Sequence, residues 1–445
     1  MYKFPENLYA DVRIEENYSI WLNIQNGEVM SDNDISDKGA MIRVFDGNMW
    51  YSCSTNNLDN IQTELDNLAA LATPNPDILS NPIVEKFEVN KDKVLLYEGE
   101  NDVRKIPRQS FKELIDNYVE KCVDDAAPEI KKWNAGTSAE HTKVSFYSSK
   151  GSELVWDKQC VELNMFFEIA VDGAVTGAWK GYKELDFAKL WGHEDEINAE
   201  KLRYLEFAKN AVAVEPGDYM CIFSPDATSL FTHESFGHKS ESDYMLNDKT
   251  LQDEWVIGKK VGNEKISISD RGDILNSGYI PYDYEGTKAR ENWLIKEGVL
   301  SGRLHNAKSA SILGEELTGN SRAGNYDCQP IVRMTNTYMS AGTDDPEEMI
   351  KGVKDGIYVY DIDRGTGNSD FSIIPRICYR IHDGKICEPV RVNIIMGNVF
   401  QTLFDVDAVG TDFMEFQSFW CGKNGQTISV GVGGPSIRIK KLKIS

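Results

Sequence analysis

No apolar run in this chain approaches the roughly 20 residues that a helix needs to span a bilayer. No Cys-x-x-Cys pair occurs, and eight cysteines scattered over 445 residues are too sparse for a disulfide-stapled secreted scaffold. Reduced thiols in a reducing compartment are expected. Positive charge is short: 48 Lys and Arg stand against 71 Asp and Glu, a net charge of −23. That balance argues against nucleic acid or an anionic membrane as a main partner. The first residues, Met1 to Asn7, lack the apolar core of a signal peptide. The chain is therefore expected in the cytoplasm. Histidine is also rare, six in all, so two close together stand out.

Two of the six lie in Thr232-His-Glu-Ser-Phe-Gly-His-Lys-Ser-Glu-Ser-Asp243. Two imidazoles can hold a divalent metal, and a carboxylate beside them, here Glu234, can accept a proton from water. His233 and His238 are five apart, not the four of the familiar zinc-protease helix. On a straight α-helix that offset is about 140° around the axis. The pair can grip one metal only if the helix ends or widens between them. Gly237 predicts where: a left-handed cap or a wide π-turn. The plain alternative is a helix with two unrelated histidines.

The rest of the chain reads as α+β. Val12 and Ile14, then Tyr18 to Ile24, alternate as half-buried strands, with hairpin turns at Asn26-Gly27 and Asp46-Gly47. Leu58, Ile61, Leu65, Leu68 and Ala72 predict a helix that stops before Thr73-Pro74. Ser110 and Glu113 form a capping-box pattern ahead of a helix with Phe111, Leu114, Ile115, Tyr118, Val119 and Cys122 buried. Strands are expected at 143–148, 153–157 and 160–171. A helix near 199–212 follows, with Leu202, Leu205 and Ala208 on one face. Residues 1–215 thus form an N-terminal α+β domain with an antiparallel sheet.

Residues 216–445 form a C-terminal, mostly antiparallel β domain, a barrel or sandwich, with the motif helix at the join. Ser224-Pro225 starts that helix, Ser as N-cap and Pro in the first turn. Turns are expected at Glu297-Gly298, Asp383-Gly384 and Asn424-Gly425, and short helices at 346–353 and 398–406. The glycines of Val430-Gly-Val-Gly-Gly434 lack the Lys-Ser/Thr of a phosphate loop and read as close backbone packing.

A catalytic zinc usually takes three protein ligands. The third candidates by chemistry are Glu241, Asp243, His305, His382 and several cysteines, and spacing does not choose among them. Glu241 and Asp243 read more readily as acids supporting the ligands. Cys421 lies in Trp-Cys-Gly-Lys-Asn-Gly425, where Lys423 would favour a thiolate.

The stretch His233 to Asp243 resembles the motif of the TldD/PmbA family of zinc metalloproteases. Cys421-Gly-Lys-Asn-Gly-Gln-Thr-Ile-Ser-Val-Gly-Val-Gly-Gly-Pro435 resembles that family's C-terminal signature. Tyr284–Thr287, Glu297–Gly302, Arg333–Tyr338 and Gly39–Val44 also match, so the resemblance covers nearly the whole chain. It implies zinc held by His233, His238 and Cys421, with Glu234 as general base. It implies the metal-bearing TldD-like type, not the sister TldE/PmbA type that lacks the motif. The expected activity is hydrolysis of peptide bonds in unfolded or small polypeptides taken up as added strands. The expected assembly is a homodimer, or a heterodimer with a TldE/PmbA-like sister subunit. Two other readings stand beside it: a non-catalytic peptide-binding or partner subunit, and a zinc hydrolase of another amide.

Overall fold

The computed structural model describes residues 2–124, 127–367, 369–414 and 417–445. Its first half is built on one seven-stranded sheet. Strands Tyr9–Gln25, Glu28–Phe45 and Trp50–Thr55 form a meander, and Ile130–Ser148 and Glu153–Val171 extend it. The two stretches read as separate strands before Asn26 are one 17-residue strand, and those from 153 to 171 are one of 19. Asn26 and Gly27 both take positive φ (49° and 85°), as a tight hairpin turn demands. Ala174–Glu184 is a further strand beyond Asp172-Gly173 that periodicity did not reveal.

Side chains alternate faces along Tyr9–Gln25. Ala10 and Val12 face the helix Ile61–Leu71, and Ile20, Leu22 and Ile24 face the helices Arg108–Cys122 and Glu194–Asn210. The other face near its start meets the second half of the chain. Arg13 donates there to the carbonyls of Asn325 and Cys328, and Arg43 reaches Asp11 and Glu285. This part of the strand is therefore buried on both sides, not on one.

Two helix expectations need correction. The helix expected at Ser110 starts at Arg108 after Pro107, and Ser110 and Glu113 make no capping box. Proline's fixed φ sets the entry instead, and the Ser110 N–H donates to the Pro107 carbonyl. In Glu194–Asn210 the buried residues are Ile197, Lys201 and Tyr204; Leu202 is 58% exposed. The amine of Lys201 is held by the Cys122 carbonyl at 2.5 Å, which lets a lysine take the inner face.

The second half holds a five-stranded barrel and a six-stranded sheet. The barrel strands Gly217–Phe223, Asp355–Gly367, Asp370–His382, Ile395–Asn398 and Ile437–Ile444 close on themselves through pairing of 355–367 with 370–382. The six-stranded sheet ends at Gln426–Gly433 and Gln417–Lys423. One apolar core joins both, from Phe223 and Phe231 to Met334, Phe371 and Val430. The motif helix is wedged between barrel and sheet inside this core. Among the described residues no helix is long and apolar enough to cross a membrane.

Candidate metal centre

The barrel strand Gly217–Phe223 feeds the motif helix directly. Ser224 caps it, its hydroxyl accepting the Ala227 N–H at 3.1 Å, and Pro225 fills the first turn. The α-helix Pro225–Thr232 then widens into a π-turn, His233–Gly237, before closing as His238–Ser240. The His238 N–H donates to the His233 carbonyl, five residues back. That wider turn brings both histidines to one side. Gly237 has φ −58°, so it is no left-handed cap. A glycine is needed for room: a Cβ there would sit 2.0 Å from Met334 Sδ.

The third donor comes from the far end of the chain. Cys421 lies on Gln417–Lys423, next to the hairpin turn at Asn424 and Gly425. Strand alternation turns Cys421 inward (1% exposed) and Trp420 outward (42%). Arg333 pins the hairpin by donating to the carbonyls of Cys421 at 2.5 Å and Gln426 at 3.2 Å. The glycine run packs closely as expected, since a Cβ on Gly431 would lie 2.2 Å from Asn336 Oδ1. The ligand atoms of His233, His238 and Cys421 all lie within 4.8 Å of one another. Cys421 Sγ is 3.4 Å from His238 Nε2.

These residues fit a metal ion. His233 is fully buried, and among the described residues neither ring nitrogen has a hydrogen-bond partner. A buried imidazole with two orphaned nitrogens is costly unless something outside the protein's own atoms binds it. Burial first, then the charges of His238 and Arg333, push its pKa well below the usual value, so it is held as the neutral, ligating form. His238 is oriented from behind: its Nδ1 lies 3.0 Å from Glu241 Oε2. Burial disfavours its cation, but the hydrogen bonds and charges of Cys421 and Glu241 outweigh that and raise its pKa to about 10. Carboxylate behind imidazole is the usual support of a metal-bound histidine. Two nitrogens and one sulfur suit a borderline-soft ion such as zinc.

Glu241 is itself fully buried, with Lys423 Nζ at 3.2 Å and Arg333 Nε at 3.9 Å. Lys423, expected to favour the Cys421 thiolate, instead spends its charge on Glu241 and on Asp243 at 2.7 Å. Glu234, next to His233, opens onto an apolar cleft between Phe231, Ile362, Phe371 and Ile373. Burial raises its pKa, His238 opposes that, and Glu241 adds to it. The other third-ligand candidates lie elsewhere. His305 bonds Ser242, Ser309 and Glu315, and His382 is paired with Asp383 on the surface. Sequence reasoning misses Arg333 and Met334; the only signal for either is its place in a segment that matches the family.

A π-turn carrying two histidines, closed by a strand cysteine, forms a candidate site for one divalent metal. Residues 216–445 match the model of the PmbA/TldA metallopeptidase C-terminal domain, and residues 10–73 that of PmbA/TldA metallopeptidase domain 1. The chain belongs to the PmbA/TldA metallopeptidase family. It is 29% identical to a metalloprotease of Synechocystis sp., over 98% of this chain and 94% of the relative. It is 28% identical to the zinc metalloprotease TldD homolog of Saccharolobus solfataricus, over 98% and 96%. Its fold is that of TldE from Thermococcus kodakarensis, with a TM-score of 0.75 at 17% identity, covering 98% of this chain and 96% of that one.

Proposed function

We propose that this chain is a zinc-dependent metallopeptidase that hydrolyses peptide bonds of unfolded or small polypeptides. His233, His238 and Cys421 hold the zinc, and Glu234 is the general base. The observation that carries this reading is the approach of three donor atoms to within 4.8 Å from segments almost 190 residues apart, one of them from a buried histidine without a hydrogen-bond partner among the described residues. A scaffold that only bound peptides would have no use for such a set. The name zinc metalloprotease carried by the Saccharolobus relative supports the choice of metal.

Zinc, when bound, supplies Lewis acidity at a carbonyl and lowers the pKa of water. The chain's own residues do the rest. Glu241 holds the His238 ring so that Nε2 faces Cys421 Sγ. Glu234, its carboxylate made more basic by burial, takes a proton from water and returns it to the departing amine. The apolar walls around it limit water at the reacting carbonyl. A dimer, of two copies or with a sister subunit of the TldE/PmbA type, belongs to the same proposal, as does a cytoplasmic setting for the eight free cysteines.

The test pairs metal content with activity. Glu234→Gln should keep about one zinc per chain and lose peptidase activity on an unfolded protein by about 10²-fold or more. Cys421→Ala should lose zinc. Full activity in freshly purified Glu234→Gln would remove its role. Zinc retained in Cys421→Ala would remove the cysteine from the site. Cleavage of small amides but not of unfolded protein would move the substrate class.

A further inference from the structure

A second cleft lies on the other face of the Cys421 hairpin. It opens between the N-terminal sheet and the six-stranded sheet. Its floor is one face of two antiparallel strands, where Glu140 is opposite Cys160 and Thr142 is opposite Lys158. Its roof carries Trp420 and Ser429, a cross-strand pair on the hairpin. Tyr97 and Tyr279 close it and are almost fully buried. The metal-site mechanism uses none of these side chains.

The floor is unusual in its charges. Glu140 and Lys158 are diagonal neighbours on the same face, backbone positions about 7–8 Å apart from which opposite charges ordinarily reach each other and pair. Among the described residues no ion pair joins them. Lys158 donates to the Tyr284 hydroxyl at 3.1 Å, and Glu140 accepts from the Cys160 thiol at 3.9 Å. A carboxylate and an ammonium therefore face one cleft with charge left to satisfy. Above them the Trp420 ring is fixed from one side by Lys183 Nζ, 3.6 Å from its centroid. The cleft offers an acid, a base and a rigid aromatic wall.

We propose that this cleft binds a free α-amino acid with a large apolar or aromatic side chain. Its ammonium meets Glu140, its carboxylate meets Lys158, and its side chain lies against Trp420 and the two tyrosines. An α-amino acid carries both complementary charges on one carbon, so a single small ligand can answer the two side chains by charge-assisted hydrogen bonds. The site is separate from the metal centre, since Trp420 and Cys421 point to opposite faces of the same strand. It therefore goes beyond the peptidase reading and does not depend on it.

Calorimetric titration of the full chain with L-phenylalanine tests this. One site per chain is expected, with binding weakened about tenfold or more by Lys158→Met and by Glu140→Gln, the loss typical of one charged hydrogen bond. N-acetyl-L-phenylalanine and L-phenylalaninamide on the unaltered chain should each bind about tenfold more weakly, which needs no folded variant. His233→Ala should bind as the wild type does. No binding up to about 10 mM overturns the proposal. So do blocked forms that bind equally well, or binding lost in His233→Ala and kept in both cleft variants. Zinc content and peptidase assays read the metal site separately, so either reading can fail alone.

Discussion

Glu241 Oε2 lies 3.0 Å from His238 Nδ1, three residues along the chain, and its carboxylate is fully buried. The contact occupies Nδ1 and leaves Nε2 to face Cys421 Sγ at 3.4 Å. Glu241→Gln keeps the volume and an acceptor but removes the charge that orients the ring and answers Lys423 and Arg333. Zinc affinity should fall about 10–100-fold, the usual effect of losing a ligand's supporting partner. Competition against a chromophoric chelator measures it. An unchanged affinity would mean that the carboxylate serves packing alone.

Lys423 is the other half of that arrangement. Its amine touches Glu241, Asp243 and, at 2.9 Å, the Val332 carbonyl, with 1% of its side chain exposed. Lys423→Met keeps the stem, leaves Asp243 without its cation and leaves Glu241 with the more distant Arg333 alone. Breaking a buried pair from one side costs about 3–5 kcal/mol, because the surviving charge stays desolvated. Urea unfolding at neutral pH should show a loss of that order. A loss below about 1 kcal/mol would mark the contact as solvent-screened, like a surface pair.

Gly237 tests the packing of the π-turn. Its φ suits any residue, and alanine is intrinsically better in a helix by about 1 kcal/mol. Yet a Cβ would overlap Met334 Sδ, so Gly237→Ala should destabilise the chain by about 1–3 kcal/mol through overpacking. Adding Met334→Ala removes the obstacle. The double variant should then be more stable than the sum of the two single losses by at least about 0.5 kcal/mol. Strict additivity would place the strain elsewhere.

Much of this is legible in the residues, for physical reasons that differ by element. The offset of five between His233 and His238 cannot serve one metal on an α-helix, so the spacing alone demands a π-turn or a cap. Hairpins at Asn26-Gly27, Asp383-Gly384 and Asn424-Gly425 are legible because positive φ demands those residues. The five-stranded barrel is not, since Gly217–Phe223 must pair with Asp355–Gly367 and Ile437–Ile444, more than 100 residues along the chain. Nor is the inner face of Glu194–Asn210, where a lysine tethered to a carbonyl replaces an expected leucine. At the site the two histidines and Glu234 are readable from spacing. Cys421 is singled out only through family resemblance, because its one local mark, Lys423 two residues on, does not choose it from eight cysteines. The role of Lys423 is hidden from its neighbours in sequence, because which acid a lysine meets is decided by tertiary packing.

Asp226 gives the pH dependence. It lies in the first turn of the motif helix, and burial raises its pKa to about 6, Lys180 opposing and Asp361 and Glu200 adding. The unfolded chain holds the same group near the ordinary value of about 3.8. Between these two values the folded chain keeps a proton that the unfolded chain has lost. Stability from this group therefore falls as pH rises from about 4 to about 6 and stays low above that. At about 1.4 kcal/mol per unit, the cost at pH 7 is about 1–3 kcal/mol. Asp226→Asn removes the ionisation and should be more stable than wild type by that amount at pH 7. The difference should shrink to near zero below pH 4, where both side chains are neutral. Paired urea titrations at the two pH values measure it. Equal stability at both would mean that the carboxylate ionises in the folded chain without penalty, its charge answered by Lys180 and the start of the helix.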